Sequence, residues 1–124
     1  MISTSAPRGA KLLITIVDQG KGEEVLRLLD AQGDHFHLVC LGEGTARADM
    51  LELMGLRATR KDIVFSTLGA EHAQEALSHL RLFLHLDMPG KGIAFTLPIS
   101  SVGGMRTLKL LTSQLAEEEN HGAE

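Results

Sequence analysis

The sequence predicts one α+β domain in which two helices cover one face of a four-stranded antiparallel sheet. Three observations predict it. Four short runs rich in β-branched and aliphatic residues are spread along the chain, two stretches beside them carry apolar residues at helical spacing, and the segments follow the order β-α-β-β-α-β. A chain of 124 residues is long enough for one core and no more.

The first ten residues are polar and small, and a flexible start is expected over 1–10. Lys11–Asp18 (KLLITIVD) is an almost continuous apolar run, the pattern of a strand buried on both faces. Gly20 and Gly22 supply a turn, and Glu23 and Glu24 then fall in a first helical turn, where the helix dipole favours them. Val25, Leu28, Leu29 and Gln32 mark one face of this helix, and Gly33 ends it as a C′ residue. His35–Leu41 (HFHLVCL), Asp62–Leu68 (DIVFSTL) and Gly92–Pro98 are the other three strands. Before the last of them, Glu71–Leu86 reads as a helix with Ala73, Leu77, Leu80 and Leu84 on one face. The order is the ferredoxin-like one, spanning residues 11–104. Residues 105–124 follow as a C-terminal helix, with Met105, Leu108, Leu111 and Leu115 at helical spacing, and an acidic tail from Glu117 to Glu119.

The strands are apolar on both sides. Lys11–Asp18 places Leu12, Ile14 and Ile16 on one face and Leu13, Thr15 and Val17 on the other. His35–Leu41 sends Phe36, Leu38 and Cys40 one way and His35, His37, Val39 and Leu41 the other. Two helices cover one face only, and a bare apolar second face would be a large exposed patch. Its burial in a homo-oligomer is expected.

Composition narrows the function classes. With no Trp or Tyr and four Phe, the chain has few aromatic platforms on which bases could stack. A net charge of −4 and scattered basic residues argue against a nucleic-acid groove. The single cysteine, Cys40, excludes an internal disulfide and fits a reducing compartment. No secretory signal is visible and no apolar run reaches the roughly 18 residues needed for membrane insertion, so a cytoplasmic setting is expected.

Two segments point to a ligand. Leu86–Pro98 (LDMPGKGIAFTLP) joins the second helix to the last strand through Gly90 and Gly92, which bracket Lys91. Glycines allow close backbone approach, turn amides can form an anion nest, and a lysine is a compact charge suited to phosphate. A tight helix-to-strand turn would use the same glycines, so the triplet alone leaves both readings open. The second segment, Gly42–Lys61, is far longer than a hairpin needs. Thr45 can cap a short helix, Ala46–Met54, that Gly55 terminates, and the segment carries Gly42, Gly44, Arg47, Arg57, Arg60 and Lys61. A basic, glycine-led loop beside a glycine-lysine turn suggests an anion between them.

Other chemistry is weakly marked. His35 and His37 point to the same side of one strand and could pair on a metal, or could be edge histidines at a subunit contact. His79 and His85 share no close helical face. Ala48–Arg60 has the outline of a helix-turn-helix opening, but strand-like Ile63–Leu68 stands where a recognition helix is needed. Ser100 and Ser101 lack the glycine-flanked nucleophile pattern, Asp18 has no evident carboxylate partner, and Gly20-Lys21-Gly22 lacks the phosphate-loop spacing. No catalytic constellation results.

With these residues in view, the chain resembles the P-II signal-transduction (nitrogen regulatory protein P-II) family, in its divergent P-II-like branch, over about residues 11–104. Lys11–Gly33 is similar to that family's opening strand and helix, Gly42–Asp62 stands at the position of its long T-loop, and Pro89–Pro98 (PGKGIAFTLP) resembles its B-loop and last strand. The resemblance implies a homotrimer with clefts between subunits that hold adenine nucleotides (ATP, ADP or AMP), and a T-loop over 42–61 that docks on a target protein such as a transporter, enzyme or regulator. By position, Gly90, Lys91 and Gly92 would hold phosphates, Gly42 would be the T-loop base, and Arg106 would be the basic residue past the last strand. The tyrosine uridylylated in some members is absent, as is the T-loop glutamine that serves 2-oxoglutarate and Mg²⁺, and the B-loop is short. A non-catalytic regulator binding a small anionic effector is therefore expected. The alternative is a trimeric metal-binding protein like the CutA proteins, which share this architecture.

Overall fold

The computed structural model describes residues 4–5, 9–31, 36–44 and 60–111. The elements run β1 (Thr4–Ser5), β2 (Ala10–Asp18), α1 (Gly22–Asp30), β3 (His37–Glu43), β4 (Arg60–Gly69), α2 (Ala70–Leu84), β5 (Ile93–Pro98), β6 (Ser101–Val102) and α3 (Met105–Leu111). Four of the strands form one sheet in the order β3-β4-β2-β5, with every neighbouring pair antiparallel. This is the ferredoxin-like βαββαβ arrangement expected from the sequence.

The period of two along β2 decides what goes where. Leu13, Thr15 and Val17 are buried beneath the helices. There Leu13 and Val17 join Val64 and Leu68 of β4, Val25 and Leu29 of α1, and Ala73, Ala76, Leu80 and Leu84 of α2 in the core. Burying a leucine or valine in such a core contributes about 1.5–3 kcal/mol, and that burial holds both helices on this side.

The opposite face is apolar in register. Leu38, Phe65, Ile14 and Phe95 form one row across the four strands, and Cys40, Ile63, Ile16 and Ile93 form the next. Leu12 pairs with Thr67 on one side and Leu97 on the other. On this face Leu38, Ile93 and Leu97 are 52%, 53% and 45% exposed.

Three departures from the sequence reading have physical causes. The flexible start expected over 1–10 contributes to the fold at two places: Thr4–Ser5 pairs with Ser101–Val102, and Ala10 opens β2. The second helix stops at Leu84, because His85 adopts the left-handed conformation (φ 55°, ψ 45°) that closes a helix. The third strand starts earlier than Asp62, so Arg60 and Lys61 belong to β4 and not to the loop before it. The expected helix 46–54, Gly33 and the chain beyond 111 lie outside the described residues.

Candidate functional site

The residues that the sequence singles out are brought mostly to one end of the sheet. Past α2 the chain turns at His85 and reaches β5 through Gly90 (φ 81°) and Gly92 (φ 117°), both in conformations that disfavour a side chain. Gly92 has a second reason to be glycine. A Cβ there would lie 2.6 Å from the carbonyl oxygen of Ile16 and 3.0 Å from Cγ1 of Val17. The turn backbone therefore lies directly against the end of β2, and Lys91 between the glycines is exposed.

Three clefts adjoin this turn: one of about 370 Å³ on the α2 side is lined by Gly92, Ile93, Arg81 and Asp87, and the other two share Val17, Asp18 and Gly90 in their walls. The larger of these two, of about 300 Å³, is also lined by Ile16, Lys61, Gly92 and Ile93. The smaller, of about 170 Å³, adds Lys21, Glu24, His85 and Lys91. The hydrocarbon wall of the larger and the lysines around both suit a ligand with an apolar body and an anionic end.

Gly42 sits at the same end but not in the same cleft. It pairs with Lys61, which pairs with Asp18, and β2 stands next to β5. Three strand spacings therefore separate Gly42 from the Gly90–Gly92 turn, roughly 14 Å. Gly42 lines a cleft of about 260 Å³ with Gln19, Leu41, Glu43 and Arg60. Arg106 is not brought to the turn within one chain. β5 leaves the turn and ends at Pro98, opposite Lys11 at the far end of the sheet, and Arg106 follows in α3.

The sequence reading missed the groups that build the floor of the site. Asp18, for which the sequence showed no carboxylate partner, forms an ion pair with Lys61. Lys61 is buried, so it is not one of the free cations of the preceding loop. Next to it, the buried Asp62 carboxylate accepts hydrogen bonds from the backbone N–H of Gly20 (2.9 Å) and Gly22 (3.0 Å). Lys21 at the N-cap of α1 offers no side-chain cap, and Asp62 does from β4 what a capping Ser or Asp does locally. Gln19 N–H donates to the Arg60 carbonyl oxygen (3.2 Å), so three successive residues of β4 hold the β2–α1 turn. The available signal was a helix start without a capping residue and a carboxylate opening an apolar strand.

The histidine readings change as well. His37 Nδ1 lies 2.8 Å from Ser66 Oγ, and its Nε2 lies 3.0 Å from Asp30 Oδ1. Both ring nitrogens are thus engaged within the chain, and among the described residues no three His, Cys, Asp or Glu side chains group to hold a metal. His35 lies outside the described residues. Asp30, His37 and Ser66 have the residue types of a nucleophilic triad, but Ser66 is 2% exposed while the Asp30 side chain is 60% exposed. A nucleophile must face its substrate. Here it is the orienting acid that faces solvent, so the relay ties α1 to β3 and β4 and does not present a reactive hydroxyl.

No family model matches the chain, and no curated protein sequence does. Solved structures do match. CPII from Thiomonas intermedia K12, a P-II-like protein described as bound to ADP, AMP and acetate, superposes with a TM-score of 0.60 over 86% of this chain and 97% of its own, at 15% identity. A Bacillus cereus protein related to NIF3 superposes with a TM-score of 0.52 over 83% of this chain, at 12% identity, and the shared region is 26% of that chain. The likeness is one of fold: this chain shares the ferredoxin-like architecture of CPII. Among the described residues no helix is long and apolar enough to cross a membrane.

Proposed function

We propose that this chain is a non-catalytic, P-II-like regulatory protein that binds an adenine nucleotide at the Gly90–Lys91–Gly92 turn and signals to a target protein through residues 42–61. The observation that carries the reading is the turn itself. Two glycines with positive φ shape it, Gly92 lies against the end of β2, and Lys91 is left exposed beside a partly apolar cleft. A protein of the same fold is described as bound to ADP and AMP, which favours a nucleotide over other anions.

The working unit is a homotrimer. The uncovered rows of Leu38, Phe65, Ile14 and Phe95 and of Cys40, Ile63, Ile16 and Ile93 need a partner, and another copy supplies a face of the same chemistry. In such an assembly Gly42 and Arg106, which one chain keeps away from the turn, serve the cleft from a neighbouring subunit. This is the arrangement that the P-II resemblance implies.

Calorimetric titration of the full chain with AMP, ADP and ATP tests the reading. Lys91→Ala removes a charge-assisted contact worth about 1.5–3 kcal/mol and should weaken binding about ten- to a hundredfold. Its effect on unfolding should be small, because an exposed lysine contributes little to folding. Gly90→Val should weaken binding further by straining the turn. Wild-type affinity in Lys91→Ala would move the ligand elsewhere, and the absence of any nucleotide binding by the wild type would end the reading.

A further inference from the structure

Accepting the nucleotide reading, the charges around the turn say which nucleotide. Among the described residues, three lysines (Lys21, Lys61, Lys91) and two carboxylates (Asp18, Glu24) line the two adjoining clefts, a net formal charge of +1 with His85 counted neutral. A phosphate monoester carries about −1.5 to −2 at pH 7, and each further phosphate of a polyphosphate adds about one more negative charge. One chain's share of the clefts therefore matches a single phosphate more nearly than a triphosphate, and Arg106 from a neighbouring subunit would add one further positive charge.

Where the charges sit sharpens the point. Among the described residues Lys61 is the one lysine lining the larger of these two clefts, and its ammonium is already engaged by Asp18. Asp18 belongs to both clefts, and its side chain is 36% exposed while that of Lys61 is 10% exposed. A polyphosphate that extends from Lys91 past Gly90 toward Lys61 meets the carboxylate before the ammonium. We propose that Asp18 is a specificity-determining residue, and that the cleft takes a nucleotide carrying a single phosphate group in preference to a triphosphate.

The experiment compares AMP and ATP by calorimetry on the full chain, first as wild type and then as Asp18→Asn. Wild type should bind AMP at least as tightly as ATP. Asp18→Asn keeps an oxygen for Lys61 and removes the like charge, which at about 5 Å in a partly solvated cleft should tighten ATP roughly tenfold. AMP should change about threefold or less. Tighter binding of ATP than of AMP by the wild type, or an unchanged ratio in Asp18→Asn, overturns the inference and leaves the nucleotide reading standing. A wild type that binds neither fails the nucleotide reading and this inference with it. Should Asp18→Asn not fold, the wild-type ranking alone decides.

Discussion

Thr15 shows how a single atom can be out of balance in an otherwise complementary core. It is fully buried at the centre of β2, and its Oγ1 has no hydrogen-bond partner among the described residues. An unpaired buried hydroxyl costs about 1–3 kcal/mol, and its neighbours across the sheet are Val64 and Ala94. Thr15→Val keeps the shape and removes the orphan, so urea unfolding should show stability raised by about 1 kcal/mol, with an unchanged denaturant slope. A loss of stability instead would mean that the hydroxyl has a partner in solution. Asp18 and Lys61 are the opposite case, two charges that satisfy one another.

At the scale of elements, α1 depends on a group that its own sequence does not supply. The Asp62 carboxylate takes the Gly20 and Gly22 amides, and a Cβ at Gly22 would come within 2.8 Å of its Oδ2. Asp62→Ala leaves both amides without their charged acceptor and should cost about 1.5–3 kcal/mol in urea unfolding. Faster amide exchange at Gly20 and Gly22 should accompany it, and Asp62→Asn should recover part of the loss. Unchanged exchange at these two amides would refute the cap. Such a cap was not legible in the sequence, because the two ends of the bond are some forty positions apart and no local pattern records it. What was legible had a period: the alternation along β2 set Leu13 and Val17 on one face and Ile14 and Ile16 on the other, and the helical spacing of Ala73, Leu80 and Leu84 gave α2 its buried face. Only the structure shows that α2 lies over Leu13 and Val17. The candidate site was legible only at Gly90, Lys91 and Gly92, where glycines flank a charge. Its floor of Asp18, Lys61 and Asp62 is made by strand pairing, and so is the separation of Gly42 and Arg106 from the turn in one chain.

The molecule as a whole is one-sided. Helices cover the face that carries Leu13 and Val17, while the face that carries Ile14 and Ile16 keeps exposed apolar side chains such as Leu38, Ile93 and Leu97. If two more copies cover that face, light scattering should return three times the chain mass at micromolar concentration. Phe95→Asp, which sets a charge in the middle of the row with Ile14, Phe65 and Leu38, should break the assembly into species that aggregate or unfold. A wild-type monomer would contradict the trimer.

The cap on α1 also bears on the order in which the chain folds. The stretch from Gly22 to Asp30 is short for an isolated helix in water, where helices below about 12 residues are marginal. It gains its cap only once β4 has aligned beside β2 and carried Asp62 to Gly20 and Gly22. A helix-first route is therefore closed at this end of the molecule. The β2–β4 register joins distant parts of the chain, and contacts of that kind are slow to form, so amide protection of Gly20 and Gly22 should appear with that of the β2–β4 pair, not before it.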